Sequence, residues 1–343
     1  MTFGDMRRSV FILSVLLLTA LCASAKDNPR VFINPGHGGH DSNDRPTPFY
    51  LWTVGDTVTY YESDSNLATG SALKRYLEEK GYEVGTTRVD NTSDDDLDLY
   101  EIVALAANSG ADLFFAVHSN ATGIPARLNY TLSLYRGYNG EPVVEGSDSI
   151  ARAVKKHLQA NQATVWTHPP KDWGDWSFYR NWGYKTGLGV LRYNKLPGML
   201  CEGSFFDYVP ERCRKLNTDF CHMEGWNQSL AIDEYFGRSG KGKTGVVAGL
   251  VRYQCERTDT TYKAFDKDLL QPANKLTVTL LNAKGRTVGQ YRIDNLNNGF
   301  YWFEGLKQGR YRVRVEGADA ESEVEVRANQ STYCNFEIAA ARR

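Results

Sequence analysis

The stretch VFINPGHGG, residues 31–39, decides the fold class of this chain. Its first three residues are apolar and suited to a pleated surface, which predicts a short buried strand. The strand ends before Pro35, and glycines then flank His37 on both sides. Open α/β sheets bind their ligands at the carboxyl ends of the strands, beside turns of this kind. We therefore expect the imidazole of His37 to lie at a ligand-binding edge, although a hydrogen-bonded turn histidine or a phosphate-binding loop fits the same pattern.

Apolar segments and amphipathic segments alternate from Arg30 to about Phe236. Residues 82–86 and 111–117 have the character of strands, whereas residues 65–80 and 97–108 carry apolar side chains at helical spacing. This alternation predicts an α/β domain with a mostly parallel sheet flanked by helices.

The pattern changes after GRSGKGKTG, residues 237–245, which has the composition of a flexible basic linker. Residues 276–280 and 311–315 alternate apolar with polar side chains, and turn signals separate these runs. The sequence therefore predicts a small all-β sandwich domain over residues 246–343.

The first 25 residues have the features of an export signal. Two arginines at positions 7–8 precede the apolar run 10–21, and residues 23–25 form a small-x-small cleavage pattern. A lipid anchor on Cys22 is the alternative, but Leu21 stands where a small residue is expected. No later segment has the length of a membrane span. We expect a mature chain from about residue 26, in the periplasm or outside the cell.

Composition limits the partners and the redox chemistry. The chain has 343 residues and a formal net charge of -1, so nothing favours general binding to nucleic acid. The cysteines that remain after cleavage match no zinc knuckle in their spacing. Cys255 and Cys334 lie near the two ends of the predicted β-sandwich, and we expect them to form a disulfide.

Three polar residues could meet at one edge of the sheet. His37 follows the first strand, Glu62 opens the helical segment ESDSNLA, and His118 ends the apolar run of ADLFFAVHSNA. Taken singly, Glu62 also suits a helix start and His118 also suits a satisfied strand end. Two imidazoles and one carboxylate together are a set that binds zinc and leaves a position for water.

A fourth candidate is Glu202, in LPGMLCEGSFFDY, where a carboxylate follows an apolar run. Burying this charge is costly without a partner. An ion pair with Arg192 is one explanation. A general base that faces a metal-bound water is the other, and the three candidate ligands favour it.

Four motifs now stand in order along the chain: NPGHGG, ESDSNLA, VHSNA and VLRYNKLPGMLCEGSF. In sequence and spacing they resemble the zinc-dependent N-acetylmuramoyl-L-alanine amidases of the amidase-3 family, over residues 31–236. The resemblance implies one Zn²⁺ held by His37, Glu62 and His118. It also implies Glu202 as the catalytic carboxylate and Arg192 as a substrate contact.

One position departs from the family pattern. The first motif usually opens with aspartate, whereas this chain has Asn34. A carboxylate near a ligand histidine often fixes its orientation, so the change puts the orientation of His37 in doubt. Asp41 and Asp44 are the candidates to replace it.

Two further segments leave alternatives open. The aromatic segment 166–184 could line a groove for sugar rings or a peptide, or could cover the sheet. Residues 50–61 could form a lid or an extra hairpin. At the carboxyl end, FEGLKQGRYRVRV resembles the carboxypeptidase-regulatory type of β-sandwich, which implies a spacer or docking module.

The sequence as a whole predicts an exported zinc amidase that acts on peptidoglycan and its muropeptides. It would cleave the amide between N-acetylmuramic acid and L-alanine. The alternatives are a non-catalytic glycan-binding or regulatory protein on the same fold, and a zinc exopeptidase. Because all four site residues precede the linker, a chain ending near Gly237 is expected to fold alone.

Overall fold

The computed structural model describes residues 28–41, 44–123, 127–183, 186–258 and 263–340. The predicted export signal and the alternative lipid site at Cys22 lie outside these ranges. Within them, no helix combines the length and the apolar character that a membrane span requires.

The first part of the chain, up to Phe236, alternates strands with helices. Its strands are β1 (Arg30–Pro35), β2 (Thr47–Leu51), β3 (Asp56–Tyr60), β4 (Glu83–Thr86), β5 (Leu113–Asn120), β6 (Leu132–Tyr135), β7 (Gly137–Tyr138), β8 (Glu141–Pro142), β9 (Lys171–Gly174) and β10 (Gly198–Phe205). Its helices are α1 (Glu62–Glu79), α2 (Leu99–Asn108), α3 (Ser147–Gln159), α4 (Asp175–Tyr179), α5 (Gly189–Tyr193), α6 (Val209–Lys215) and α7 (Thr218–Tyr235).

The main sheet has six strands in the order β4-β1-β5-β10-β6-β9. The strands β4, β1, β5 and β10 are parallel, as the alternation predicts. The sheet is nevertheless mixed, because β6 is antiparallel to β10 and β9 is parallel to β6. Residues 121–131 link β5 to β6, and this link is shorter than the dozen or more residues that a parallel crossover needs.

Helices cover both faces of this sheet. Apolar side chains of α1, α3 and α7 pack on one face, against Val31, Ile33 and Phe115. On the other face, α2 and α5 pack against Phe32 and the apolar side chains of β5, β6 and β10. The carboxyl ends of β1, β5 and β10 therefore meet at one edge, between two covered faces.

The rest of the described chain is rich in strands. They are β11 (Thr244–Glu256), β12 (Leu270–Pro272), β13 (Thr277–Asn282), β14 (Thr287–Arg292), β15 (Phe300–Lys307), β16 (Gly309–Val315), β17 (Ala320–Val326), β18 (Ser331–Tyr333) and β19 (Phe336–Ile338). One sheet contains β12, β11, β15, β18 and β19, and another has the order β14-β13-β16-β17. Side chains of both sheets contribute to one buried cluster, which includes Val251, Val278, Tyr301 and Val313. Because β11 begins at Thr244, the last two residues of the predicted linker belong to a strand.

The predicted disulfide is wrong, because Cys255 and Cys334 are both free thiols. The backbone N–H of Cys334 donates to the carbonyl of Ala248, on the same strand as Cys255. Seven residues of extended strand separate Ala248 from Cys255, which is about 23 Å. A disulfide needs Cα atoms less than about 7 Å apart. Both cysteines lie near an end of the predicted domain in sequence, but the pairing of the strands keeps them far apart in space.

The two parts of the chain share a hydrophobic core. Tyr76 of α1 and Trp226 of α7 are buried together with Val246, Phe300 and Trp302 of the strand-rich part. The two aromatic rings of the helices meet edge to face, with centroids 5.1 Å apart. The helices therefore bury one apolar face on the main sheet and another on the strand-rich part.

A buried ionic cluster joins the same two parts. Asp268 accepts hydrogen bonds from both terminal nitrogens of Arg214 in α6, at 2.9 and 3.0 Å. It also accepts one from Arg252 of β11 and one from the hydroxyl of Tyr208. Burial opposes the charge of Asp268, but the guanidinium of Arg214 outweighs it and lowers the pKa of this carboxyl.

Candidate active site

His37 lies in the turn after β1, and its backbone has a φ of 62°. The preceding residue has to be glycine, because a Cβ on Gly36 would lie 2.0 Å from Cε1 of the His118 ring. The two imidazole rings consequently approach edge to face, with centroids 5.1 Å apart. The glycine-rich turn thus brings two histidines from adjacent strands together.

Glu62 is the first residue of α1, so its carboxylate lies at a helix N-terminus, where negative charge is stabilised. One carboxylate oxygen accepts from the backbone N–H of Ser119 at 3.0 Å and from the side-chain amide of Asn66 at 3.2 Å. The carboxylate lies 3.3 Å from His37 Nε2 and 3.2 Å from His118 Nδ1. The Oε1 atom therefore carries the two supporting hydrogen bonds as well as the contact with His118, while Oε2 contacts His37.

The structure brings together all three predicted metal ligands. One donor atom each from His37, Glu62 and His118 can be chosen so that all lie within 4.8 Å of one another. Burial opposes the charge of Glu62, but hydrogen bonds from both histidines hold its pKa below the ordinary value. Burial lowers the pKa of His118, which favours the neutral imidazole that binds metals. The pKa of His37 is raised, because the carboxylate of Glu62 outweighs burial.

Glu202 lies next to this cluster, since β10 pairs with β5 and places Glu202 opposite His118. Its Oε2 atom is buried and has no hydrogen-bond partner among the described residues. Burial, together with the nearby charge of Glu62, raises the pKa of Glu202 to about 8. A carboxylate with a buried, unpaired oxygen beside a possible metal site is typical of a group kept for chemistry.

Arg192 does not form the alternative ion pair with Glu202. Its guanidinium donates instead to the carbonyls of Thr186, at 3.1 Å, and Gly187, at 2.9 Å. Arg192 lines a separate cavity, which borders the main one at Tyr179. The structure therefore places Arg192 near the site but not among the four residues that converge.

In the described part of the chain, neither of the two carboxylates proposed to orient His37, Asp41 and Asp44, forms its hydrogen bonds with the His37 ring. Asp44 is buried and accepts from the backbone N–H and the hydroxyl of Ser63, at 2.6 and 2.8 Å. The amide of Asp44 itself contacts Asp41 at 3.4 Å. Asn34 donates to the hydroxyl of Thr87 at 3.1 Å. Asp44 thus fixes the start of α1 and acts on His37 through its charge, while the ring of His37 contacts Glu62.

Arg88 is a structural residue of the site that the sequence reasoning missed. It is buried, and its guanidinium donates to the carbonyls of Pro35, Gly36 and Ser63, at 2.8 to 3.0 Å. These contacts tie the turn that carries His37 to the first turn of the helix that carries Glu62. A charged residue two positions after the strand β4 was the available signal.

A cavity of about 680 Å³ opens over the four converging residues. The candidate metal ligands and Glu202 form one end of it. Aromatic side chains from the segment 166–184 also line it: Trp173, Phe178, Tyr179 and Trp182. The aromatic segment therefore borders the site, as the groove hypothesis requires.

A buried carboxylate anchors this wall. Asp175, at the start of α4, accepts from the backbone N–H of Gly137 at 3.1 Å and from that of Leu188 at 2.9 Å. Gly187 approaches so closely that a Cβ there would lie 2.0 Å from the carboxylate. The carboxylate of Asp175 therefore holds both ends of the segment 175–188 close to the neighbouring strand β7.

Residues 50–61 form a hairpin rather than a cover over the cavity. The strands β2 and β3 pair in antiparallel register, and the hydroxyl of Thr53 in the turn donates to the carbonyl of Asn295 at 2.6 Å. None of the residues of the turn lines the cavity. The hairpin therefore reaches towards the strand-rich part of the chain.

Residues 31–222, more than half of the chain, match the sequence profile of the amidase-3 family, described as N-acetylmuramoyl-L-alanine amidase. The chain belongs to this family. The resemblance drawn from the four motifs is therefore confirmed at the level of the family. The three converging ligand candidates, helices α1 to α6 and almost all of the main sheet belong to the matched part, whereas most of α7 follows it.

The individual relatives of this chain are distant. The chain is 29% identical over 202 residues to YqiI of Bacillus subtilis strain 168, an alignment that covers 58% of this chain and 82% of YqiI. It is 27% identical over 179 residues to the N-acetylmuramoyl-L-alanine amidase CwlM of Bacillus licheniformis, covering 52% of this chain and 57% of CwlM. The chain therefore spans little more than half of CwlM.

Among solved structures, the chain is similar to the N-acetylmuramoyl-L-alanine amidase AmiC2 of Nostoc punctiforme, with a TM-score of 0.47 and 21% identity. The superposition covers 61% of this chain and 98% of AmiC2.

Proposed function

We propose that this protein is a zinc-dependent amidase that cleaves the bond between N-acetylmuramic acid and the L-alanine of peptidoglycan stems. One observation carries the proposal: in a member of the amidase family, two histidines, a carboxylate and a further unpaired carboxylate converge in one cavity. A glycan-binding protein without turnover has no need for an unpaired buried carboxylate at that place.

The donor set fits zinc. Two imidazole nitrogens and one carboxylate oxygen are typical ligands of catalytic zinc, which keeps a further position for water. His37, Glu62 and His118 would hold the ion, and the hydrogen bonds of Ser119 and Asn66 to Oε1 of Glu62 fix the orientation of the carboxylate. When bound, zinc polarises the scissile carbonyl and lowers the pKa of a water molecule.

Glu202 is the proposed general base and acid. Its raised pKa makes the carboxylate a stronger proton acceptor, and it has no other hydrogen bond at Oε2 to give up. Glu202 would accept a proton from the attacking water and then donate it to the departing amine nitrogen. Arg88 positions the turn of His37 and the start of α1, so it supports both sides of this site.

Arg192 is proposed as a substrate contact beyond the reaction centre. The cavity that it lines shares Tyr179 and Leu188 with the main cavity. A long substrate such as a peptidoglycan strand with its stems would extend from one into the other.

The remaining assignments concern the whole chain. We propose residues 26–236 as the catalytic domain, the predicted linker up to residue 243 as its link, and the strand-rich remainder, which begins with β11, as a β-sandwich of the carboxypeptidase-regulatory type. The common core between the two carboxyl-terminal sheets supports the sandwich. We also propose export to the periplasm or the exterior, which is where peptidoglycan lies.

Digestion of purified cell wall tests the proposed function. The amidase should free the amino group of L-alanine and leave intact glycan strands that carry lactyl carboxylates. An exopeptidase would release free amino acids or short peptides from the stem ends instead. A binding protein would release nothing, and that result would overturn the proposal.

Removal of one ligand should remove the metal. The protein as purified is expected to contain about one zinc per chain, and His118→Ala should lose most of it, because only two protein ligands then remain. Elemental analysis by mass spectrometry measures the zinc content. His222→Ala is the control, because His222 lies in α7 and does not line the cavity. Full zinc retention in His118→Ala would show that the ligand assignment is wrong.

The aromatic wall should contribute to substrate binding. Trp182 is 61% exposed and contacts the rings of Phe178 and Tyr179. Trp182→Ala is expected to raise KM about three- to tenfold, the worth of one stacked ring, with little change in kcat or Tm. Steady-state kinetics on soluble muropeptides measures this. Trp52→Ala, which removes an exposed tryptophan outside the cavity, is the control, and an equal effect there would count against the wall.

A further inference from the structure

Lys171 is the cation of the aromatic wall. It begins β9 and lines the cavity, with its Nζ 4.4 Å from the ring centre of Trp173 and 5.3 Å from that of Tyr130. Contacts of this kind hold an ammonium group over aromatic faces. They restrict the flexible side chain and aim its charge into the cavity.

The positive charge of Lys171 is not matched by a protein carboxylate. Within the described ranges no ion pair of Lys171 is present, although the side chain is half buried. The adjacent carboxylate, Asp172, is engaged by Lys155 and Arg152. Lys171 is thus a half-buried cation that lines a cavity and lacks a counter-ion among the residues described. Such a group is suited to binding an anionic group of a ligand.

The register of the sheet gives the distance from the reaction centre. Glu202 is paired with Leu132 on β6, and Leu132 is paired with Lys171 on β9. Because neighbouring strands lie about 4.8 Å apart, Lys171 is two strand spacings, or about 10 Å, from Glu202. Residues in matching register direct their side chains to the same face of a sheet, so both reach the same cavity.

Tyr130 is a second aromatic contact of Lys171 in this cavity. It is buried and lines the cavity together with Phe205, with the two ring centroids 4.7 Å apart. The Nζ atom of Lys171 lies over the Tyr130 ring, and Tyr130 and Glu202 line the same cavity. An extended peptide advances about 3.3–3.6 Å per residue, so a group about two residues from the scissile amide comes within reach of the ammonium.

We propose that Lys171 binds a free carboxylate on the second residue of the peptide stem, so that the enzyme selects acidic stems over amidated ones. This inference rests on the proposed amidase function and adds its substrate class. Trp173 and Tyr130 hold the ammonium in place, and the carboxylate supplies the missing counter-ion. A carboxamide at the same position is neutral and forms a weaker hydrogen bond with an ammonium group.

Two muropeptides test the proposal. They are identical except that the second stem residue carries a carboxylate in one and a carboxamide in the other. The wild-type, zinc-loaded protein should show a kcat/KM about ten- to a hundredfold higher for the acidic muropeptide, mainly through KM. Lys171→Gln should reduce this ratio towards one. Lys171→Arg keeps the charge and should retain most of the preference.

The controls separate binding from a structural role. Lys241→Gln removes an exposed lysine outside the cavity and should leave the ratio unchanged. Thermal unfolding of each variant shows whether Lys171 instead stabilises the wall through its cation–π contacts. Equal rates of wild type on both muropeptides, or a preference that survives Lys171→Gln, would overturn the proposal while the amidase function stands.

A binding measurement keeps the test valid if neither muropeptide is cleaved. That outcome would contradict the proposed amidase function, not the lysine subsite. Quenching of tryptophan fluorescence by each muropeptide then gives the two Kd values directly. A Kd at least about tenfold lower for the acidic form, lost in Lys171→Gln, supports the subsite. Equal Kd values for the two forms overturn it.

Discussion

Glu202→Gln is expected to lower kcat by at least about a hundredfold while zinc content stays at the wild-type level. The substitution keeps the size of the side chain and removes the proton acceptor, and general acid-base groups contribute about 10²–10⁴ to rate. The three candidate ligands remain unchanged. Parallel measurement of amidase rate, zinc content and Tm on one preparation checks the prediction.

Stability separates the catalytic role of Glu202 from the ion pair with Arg192. Breaking a buried pair costs about 3–5 kcal/mol, because one charge stays behind without its partner. Arg192 donates to backbone carbonyls, so Glu202→Gln should leave Tm unchanged or slightly higher. Glu101→Gln, an exposed carboxylate on α2, is the matched control. A stable, zinc-loaded and fully active Glu202→Gln protein would refute the catalytic role.

A chain that ends at Gly237 is expected to lose cooperative folding. Removing the strand-rich part exposes the outer apolar face of α1 and α7, which includes Tyr76, Phe220 and Trp226. Each fully buried side chain of this size contributes about 1.5–3 kcal/mol. Several of them together approach the whole stability of a typical domain, about 5–15 kcal/mol. Thermal unfolding followed by circular dichroism measures the loss.

This expectation reverses the one drawn from the linker composition alone. The glycine-rich stretch 237–245 indicated two independent units, but the sequence does not show that α7 is apolar on two sides. A chain that lacks only residues 341–343 is the control and should unfold like the full protein. If the shortened chain unfolds as sharply and at the same temperature as the full protein, the shared core is not required and the linker reasoning holds.

The sequence predicted the parts of the fold that depend on local pattern. The apolar run of β1, the helical spacing of α1 and the strand before His118 all lie where periodicity placed them, with ends shifted by a few residues. The convergence of His37, Glu62 and His118 followed from the rule that parallel strands present their carboxyl ends at one edge. These features need only neighbouring residues and a general rule.

Features that depend on which distant segments of the chain become neighbours could not be predicted from the sequence. The reversed direction of β6 and β9 depends on which strands become neighbours, and the error over Cys255 and Cys334 has the same origin. Arg88 was missed because its partners are backbone carbonyls, which no side-chain motif identifies.

The carboxylate of Asp175, which joins the two ends of the aromatic segment, separates changes in that segment from changes in the reaction centre. Because Asp175 fixes Gly137 and Leu188 to one point, the chain leaves the scaffold and returns to it at almost the same place. The cost of closing a loop grows only slowly with its length. Residues 176–186 can therefore be lengthened, shortened or exchanged without moving β1, β5 or α1, provided that Gly187 keeps its close approach to Asp175. Substrate range and bond-breaking chemistry are free to change at different rates.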